Sequence, residues 1–282
     1  LEVHGIEHWT HFYTDYGIDL QKRFFGHFLK GEDTGWLQNQ PKVQLQIRYP
    51  GEVFVERHEN EWPLARTDWT KYYIHPDTMT ISTEKQVTES SAEYGGFSDG
   101  LTFLSDPLEA DLEITGPLAS KLWVSSETND ADLFLVLRAF SPDMKEVTFQ
   151  GALDPHTPLA QGWLRCSHRK LDKDLTLPYR PYHTHDEIQP LNKDETYEVD
   201  VEVWPTCIVI PKGYRLGFSV RGKDYVYPGD SGTDFGEYAG WTGCGLFKHD
   251  DPVDRPAEIF GGAVKLHTGA DRQAYIMLPI IP

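Results

Sequence analysis

Beyond residue 41 the chain runs as short segments in which apolar and polar residues alternate, and no interval between them has the pattern of an amphipathic helix. The clearest are VQLQI (43–47), TKYYI (70–74), ADLEIT (110–115), KLWVSS (121–126), ADLFLVLRAF (131–140), TYEVDVEVW (196–204), YRLGFSV (214–220) and AYIMLPII (274–281). A period of two puts every second side chain on one face of a strand, so each segment can bury one face and solvate the other. SPDM (141–144), NKDE (192–195), IPKGYR (210–215) and YPGDSG (227–232) supply turns between them. Parallel neighbours need long crossovers, so strands joined by turns are expected to pair antiparallel. The expected fold is mainly β, an antiparallel sandwich or jelly roll over 41–282. The polar, Gly/Ser-rich stretch 82–100 is expected to be a surface excursion from it.

Residues 1–36 have a different texture. In DYGIDLQKRFFGHFLKG (15–31), Ile18, Leu20, Phe24, Phe25, Phe28 and Leu29 fall mostly on one face at helical spacing. Thr14 or Asp15 can cap its start, and Lys30 followed by Gly31 suits its end. Gly26 inside this helix points to close packing there. The preceding LEVHGIEHW (1–9) reads as a short strand followed by a Gly-containing loop with His4 and His8. A chain opening inside such a unit is expected to be the tail of a longer polypeptide.

Charge narrows the partners. Lys and Arg number 26 against 44 Asp and Glu, a net charge of −18. That balance disfavours nucleic acid and anionic membranes, which require clustered cations. No apolar run approaches the roughly 18 residues of a membrane span. Cys166, Cys207 and Cys244 are far apart and odd in number, so they are expected to be free thiols. Free thiols favour a reducing compartment, and the expected location is the cytoplasm.

Several motifs have chemical readings. Gly96-Phe97-Ser98-Asp99-Gly100 is a literal GxSxG. A nucleophile elbow needs a buried strand before the serine and a helix after it, and neither flank has that pattern. Ser98, with Asp132 and His183 or His267, would form a complete hydrolase only if strands and helices alternated after residue 100. His183 and His185 share one side of an extended segment and could face a metal, but the sequence nominates no third ligand. Carboxylates around Asp130 and Asp132 are an unspecific Ca²⁺ candidate. Neither carries a metal or cofactor expectation. Trp204-Pro205 and Trp241 read as core or rim aromatics, with a sugar platform as the alternative. His8 stands in the loop between a strand and an amphipathic helix, where an α/β-hydrolase carries its general base.

The order of these segments resembles one family. LEVHGIEHW (1–9), LQKRFFGHFLKGEDTGW (20–36) and PKVQLQIR (41–48) are similar to the domain junction of CocE/NonD serine hydrolases, the X-prolyl dipeptidyl-peptidase and cocaine-esterase-like group. LTFLSDPLEADLEITGP (101–117), DADLFLVLRAFSPD (130–143), VEVWPTCIVIPKGYRLGFSV (201–220) and HTGADRQAYIMLPIIP (267–282) continue the likeness. The resemblance implies a remnant of an α/β-hydrolase domain over 1–36. A galactose-binding-like jelly-roll sandwich then follows over 41–282.

It also implies cleavage of small-molecule esters or peptides through a Ser-His-Asp triad, with His8 at the position of the triad histidine and His4 as the neighbouring candidate. The serine and aspartate would lie upstream of Leu1, in a missing N-terminal catalytic domain. A histidine base without its hydroxyl cannot run acyl transfer, so the chain alone is expected to be inactive. Oligomer contacts on the sandwich are also implied. The competing reading is a stand-alone jelly-roll carbohydrate-binding module, with exposed Trp and Tyr stacking on sugars.

Overall fold

The computed structural model describes residues 1–5, 8–151, 154–229 and 248–282, without the side chains of His8 and Trp9. The chain opens with β1 (Glu2–Val3), α1 (His8–Tyr13), α2 (Asp15–Lys30) and α3 (Trp36–Asn39). Then come β2 (Val43–Tyr49), β3 (Val53–Glu59), β4 (Asp68–His75), β5 (Thr80–Ser82), β6 (Ser90–Gly95), β7 (Leu101–Leu104) and β8 (Leu112–Ser126). β9 (Asp132–Phe140), β10 (Ala160–Arg165), β11 (Tyr197–Ile210) and β12 (Arg215–Arg221) follow. A four-residue α4 (Ala257–Phe260), β13 (Ala263–Thr268) and β14 (Tyr275–Ile281) close the chain. The fold is mainly β, as the alternating pattern predicts.

The fourteen strands of the described residues belong to one sheet, with the order β1-β2-β11-β8-β14-β4-β5-β7-β12-β9-β10 along its main path. β3 pairs with β2, and β13 joins β8 to β6. The β1–β2, β2–β11 and β5–β7 contacts are parallel and the other ladders antiparallel. The sheet curls until β10, at one end, lies against β11, near the other. A Cβ on Gly162 of β10 would fall 2.2 Å from the Glu202 carbonyl oxygen of β11, so glycine permits this crossing.

Curling turns the inward sets of both halves toward each other. Leu118, Leu122, Leu133, Leu135, Leu137 and Phe218 are each fully buried in one cluster. Each such side chain contributes about 1.5–3 kcal/mol by burial. Val43, Leu45, Ile47, Cys207 and Val209 form a second cluster, against which Val3 of β1 and Trp62 pack. Prolines inside β11 and β14 are accommodated by register shifts between Val203 and Thr206 and between Met277 and Ile280.

The N-terminal helix forms as the sequence predicts. The Thr14 hydroxyl accepts the Gly17 N–H at 3.1 Å, and Gly31 ends α2 at φ 71°. Gly26 is buried because the chain returns over it. A Cβ there would lie 2.7 Å from the Glu32 carboxylate and 3.0 Å from the Thr34 methyl.

Two local expectations are corrected. The stretch 82–100 contains β6, which pairs with β13 from Gly95↔Ala263 to Ser90↔Thr268 and buries Tyr94. Its polar composition reflects a strand whose other residues face outward. The histidine loop is shorter than expected, because His8 is the first residue of α1. Among the described residues no helix is long and apolar enough to cross a membrane.

Candidate functional site

The histidine-bearing segment is held against the sheet by β1, whose Glu2 and Val3 pair with Gln44 and Leu45. The chain then turns at Gly5, whose N–H donates to Gln46 Oε1 at 2.9 Å. A Cβ on Gly5 would lie 2.0 Å from the Phe54 ring, so only glycine lets the backbone pass. The His4 ring stacks on His11 at 4.1 Å, and His11 Nε2 lies 3.0 Å from Glu2 Oε1. His8 follows at the start of α1, and its side chain lies outside the described residues.

Beside this turn is a cleft of about 310 Å³. His4 and Gly5 form one rim, and Phe54, Phe149, Trp163 and Trp204 form the sandwich side. Arg48 fixes its floor. Its guanidinium donates to the Leu159 carbonyl at 3.0 Å and to Thr206 Oγ1, and lies 4.4 Å over the Phe149 ring. Burial pushes the Arg48 pKa down, so this charge is held by packing and hydrogen bonds with little help from water. Cys207 contributes to the lining as an inert thiol, since burial pushes it up to about 12. Apolar rings, an imidazole and one guanidinium suit the cleft to receiving part of a substrate. Among these lining groups no hydroxyl is paired with a base. Arg48, Phe54 and Phe149 escaped the sequence reading because they come from three separate segments. In the alternation of β2, Arg48 falls in the polar set with Gln44 and Gln46, so its spacing gives no sign of a buried guanidinium.

A second cleft, of about 450 Å³, opens where β10 meets β11. Asp132 and Phe134 reach it from β9, Trp163 and Arg165 from β10, and Glu202 and Trp204 from β11. Asp132 holds two arginines. Arg165 Nε and Nη2 donate to it at 2.8 and 3.0 Å, and Arg255 Nε at 2.8 Å. Asp130 Oδ1 accepts the Ala131 and Ser167 N–H groups, each at 2.9 Å. Both carboxylates are therefore engaged in structural bonds rather than converging on a cation.

His183 and His185 both line this second cleft, although His185 has a left-handed backbone at φ 51° and the segment is not the extended strand that the spacing argument assumes. His183 Nε2 lies 2.9 Å from the Asp200 carbonyl oxygen, and His185 Nδ1 lies 3.1 Å from His168 Nδ1. Asp186 and Glu187 instead pair with Lys170. No group of three or more His, Cys, Asp or Glu among the described residues is placed to hold a metal ion. Trp204 is 64% exposed, a rim aromatic, and Trp241 and Cys244 lie outside the described residues.

Burial pushes the His183 pKa below the ordinary histidine range, and the nearby His185 and His168 push it the same way. The unfolded chain therefore takes up this proton first as pH falls, so stability is lost below about pH 6.5. His183→Gln keeps an N–H for the Asp200 carbonyl and removes the titration. Urea unfolding at pH 7.5 and pH 6 should show a smaller loss for the variant than for the parent chain. His267, also lowered by burial, retains part of the effect. An unchanged pH dependence would refute the assignment to His183.

The residues of the self-contained hydrolase reading are not brought together. Ser98 sits in the turn after β6, where its Oγ accepts the Gly100 N–H at 3.1 Å. Asp132 is bound to arginines, His183 to a backbone carbonyl and His267 to Ser125 Oγ at 2.9 Å.

A curled, mainly antiparallel β domain fronted by a short strand and helices is the architecture of the C-terminal portion of CocE/NonD hydrolases. Residues 34–233 match the X-Pro dipeptidyl-peptidase C-terminal non-catalytic domain, and the chain belongs to that family. The whole chain superposes on 49% of a CocE/NonD family hydrolase from Staphylococcus aureus, with a TM-score of 0.85 and 25% identity. Cocaine esterase from Rhodococcus is 24% identical over 93% of this chain and 45% of its own length. An aminopeptidase from a marine sediment archaeon shares the fold, with a TM-score of 0.65 and 14% identity. The chain thus spans about half the length of these relatives.

Proposed function

We propose that this chain is the C-terminal part of a CocE/NonD-type serine hydrolase that cleaves ester or amide bonds of small molecules or peptides. Residues 1–36 complete an upstream α/β-hydrolase domain, and 41–282 form a jelly-roll sandwich of galactose-binding-like type. His8 is the general base of a triad whose serine and acid belong to the upstream domain. The cleft beside His4 and Gly5 supplies one wall of the substrate site, and the sandwich also carries oligomer contacts. Buried, free Cys166 and Cys207 suit a reducing location such as the cytoplasm.

The observation that carries this reading is the uncovered apolar face of the N-terminal helices. Phe12, Ile18, Phe25, Phe28 and Leu29 are 39–75% exposed, although their helical spacing is that of a buried face. An apolar surface of this kind is the mark of an interface, and a catalytic domain completed by β1 and α2 would cover it.

The test compares two polypeptides, the 282-residue chain and a longer one that includes the upstream domain. The chain alone should leave p-nitrophenyl acetate intact. The longer polypeptide should hydrolyse it and lose that activity to a fluorophosphonate. Turnover by the chain alone, abolished by Ser98→Ala, would overturn the proposal.

A further inference from the structure

We infer that the cleft between β10 and β11 binds an organic ammonium group. The walls are aromatic. Trp163 and Trp204 meet edge to face with centroids 5.3 Å apart, and Phe134 closes the floor. Trp204 keeps a free face, being 64% exposed. A tryptophan face attracts a cation through its quadrupole, and more strongly where water is partly excluded.

The charges in the cleft point the same way. Asp132, Glu202 and Asp254 line it together with one guanidinium, that of Arg165. Arg165 is bound to Asp132 and Asp254, and Arg255 to Asp132. Glu202 remains. It lies two residues before Trp204 and lines the same cleft, and its carboxylate has no hydrogen-bond or ion-pair partner among the described residues. Burial raises its pKa, and Arg180 only partly offsets this. A cation beside Glu202 would favour its charged form.

Other ligand classes fit less well. Glu202, the lining carboxylate outside the arginine pairs, disfavours an anion. An uncharged sugar needs several free donors and acceptors around its ring. Here Arg165 is already paired, His183 faces the Asp200 carbonyl, and His249 Nδ1 lies 2.9 Å from Asp224 Oδ1. The aromatic face of Trp204 beside the acceptor-only carboxylate of Glu202 is the complement of a substituted ammonium, whereas the ring nitrogens of His168 and His185 on the same lining are engaged with each other only through Nδ1.

The site lies wholly in this chain, so its test is independent of esterase activity. Choline chloride and its uncharged isostere 3,3-dimethyl-1-butanol are titrated into the 282-residue chain at pH 8 and low salt, with tryptophan fluorescence and calorimetry as readouts. Choline should bind saturably, and the isostere at least about tenfold more weakly. Trp204→Ala and Glu202→Gln should each weaken choline binding about five- to tenfold, and Trp204→Phe by less. The last two variants keep nearly the parent shape, and circular dichroism melts confirm folding. Equal binding of cation and isostere, no binding of choline, saturation by galactose instead, or parent-like affinity in Glu202→Gln would each overturn the inference.

Discussion

Replacing His8 with alanine, in a polypeptide that joins the proposed catalytic domain to this chain, is expected to lower kcat for an activated ester by about 10⁴-fold or more. A serine hydroxyl is a weak nucleophile at neutral pH and attacks only when a positioned base takes its proton. The same imidazole then protonates the leaving group, so its loss damages both acylation and product departure. His4→Ala is the informative control. The His4 ring stacks on His11 and lines the cleft, so its removal should act mainly on KM. Steady-state kinetics on both variants separates a base from a wall. Activity of His8→Ala within tenfold of the parent, or a collapse of kcat in His4→Ala, would remove His8 from the proposed role.

The largest stability effect is expected at Asp132. Its side chain is only 10% exposed and holds Arg165 and Arg255, the latter 4% exposed. Asp132→Ala leaves a buried guanidinium without its counter-charge, a change that typically costs about 3–5 kcal/mol. The melting temperature should fall by roughly 6–20 °C. Arg255 also donates to the His249 and Gly222 carbonyl oxygens, each at 2.7 Å, so the damage should spread to the loop bearing His249. Asp132→Asn, which keeps one acceptor oxygen, should lose less. Denaturant unfolding provides the measurement, and a loss below about 1 kcal/mol for the alanine variant would show that the arginines find other partners.

Much of this architecture is legible in the sequence, because strand and helix signals are local. Alternation from VQLQI to AYIMLPII marks strands, and Thr14 and Gly31 mark the ends of α2. The order of the segments also resembles CocE/NonD hydrolases, the likeness later found in structure. Local signals misplace β6, whose outward polar residues imitate a loop and whose partner strand β13 lies far along the chain. They also miss that the apolar face of α2 stays uncovered, since periodicity shows which residues share a face but not what lies against it.

The sequence by itself determined the mainly β character, the capped N-terminal helix, the acidic surface and the candidacy of His8. Each rests on residue type and spacing within a few positions. Only the tertiary structure decided which side chains meet. The curling of the sheet brings Trp163 of β10 beside Trp204 of β11, and Asp132 of β9 beside Arg255 near the C-terminus. Gly5 lets the histidine segment close over Phe54. Such contacts join residues far apart in the chain, and they exist only once the buried faces have selected one register and one closure.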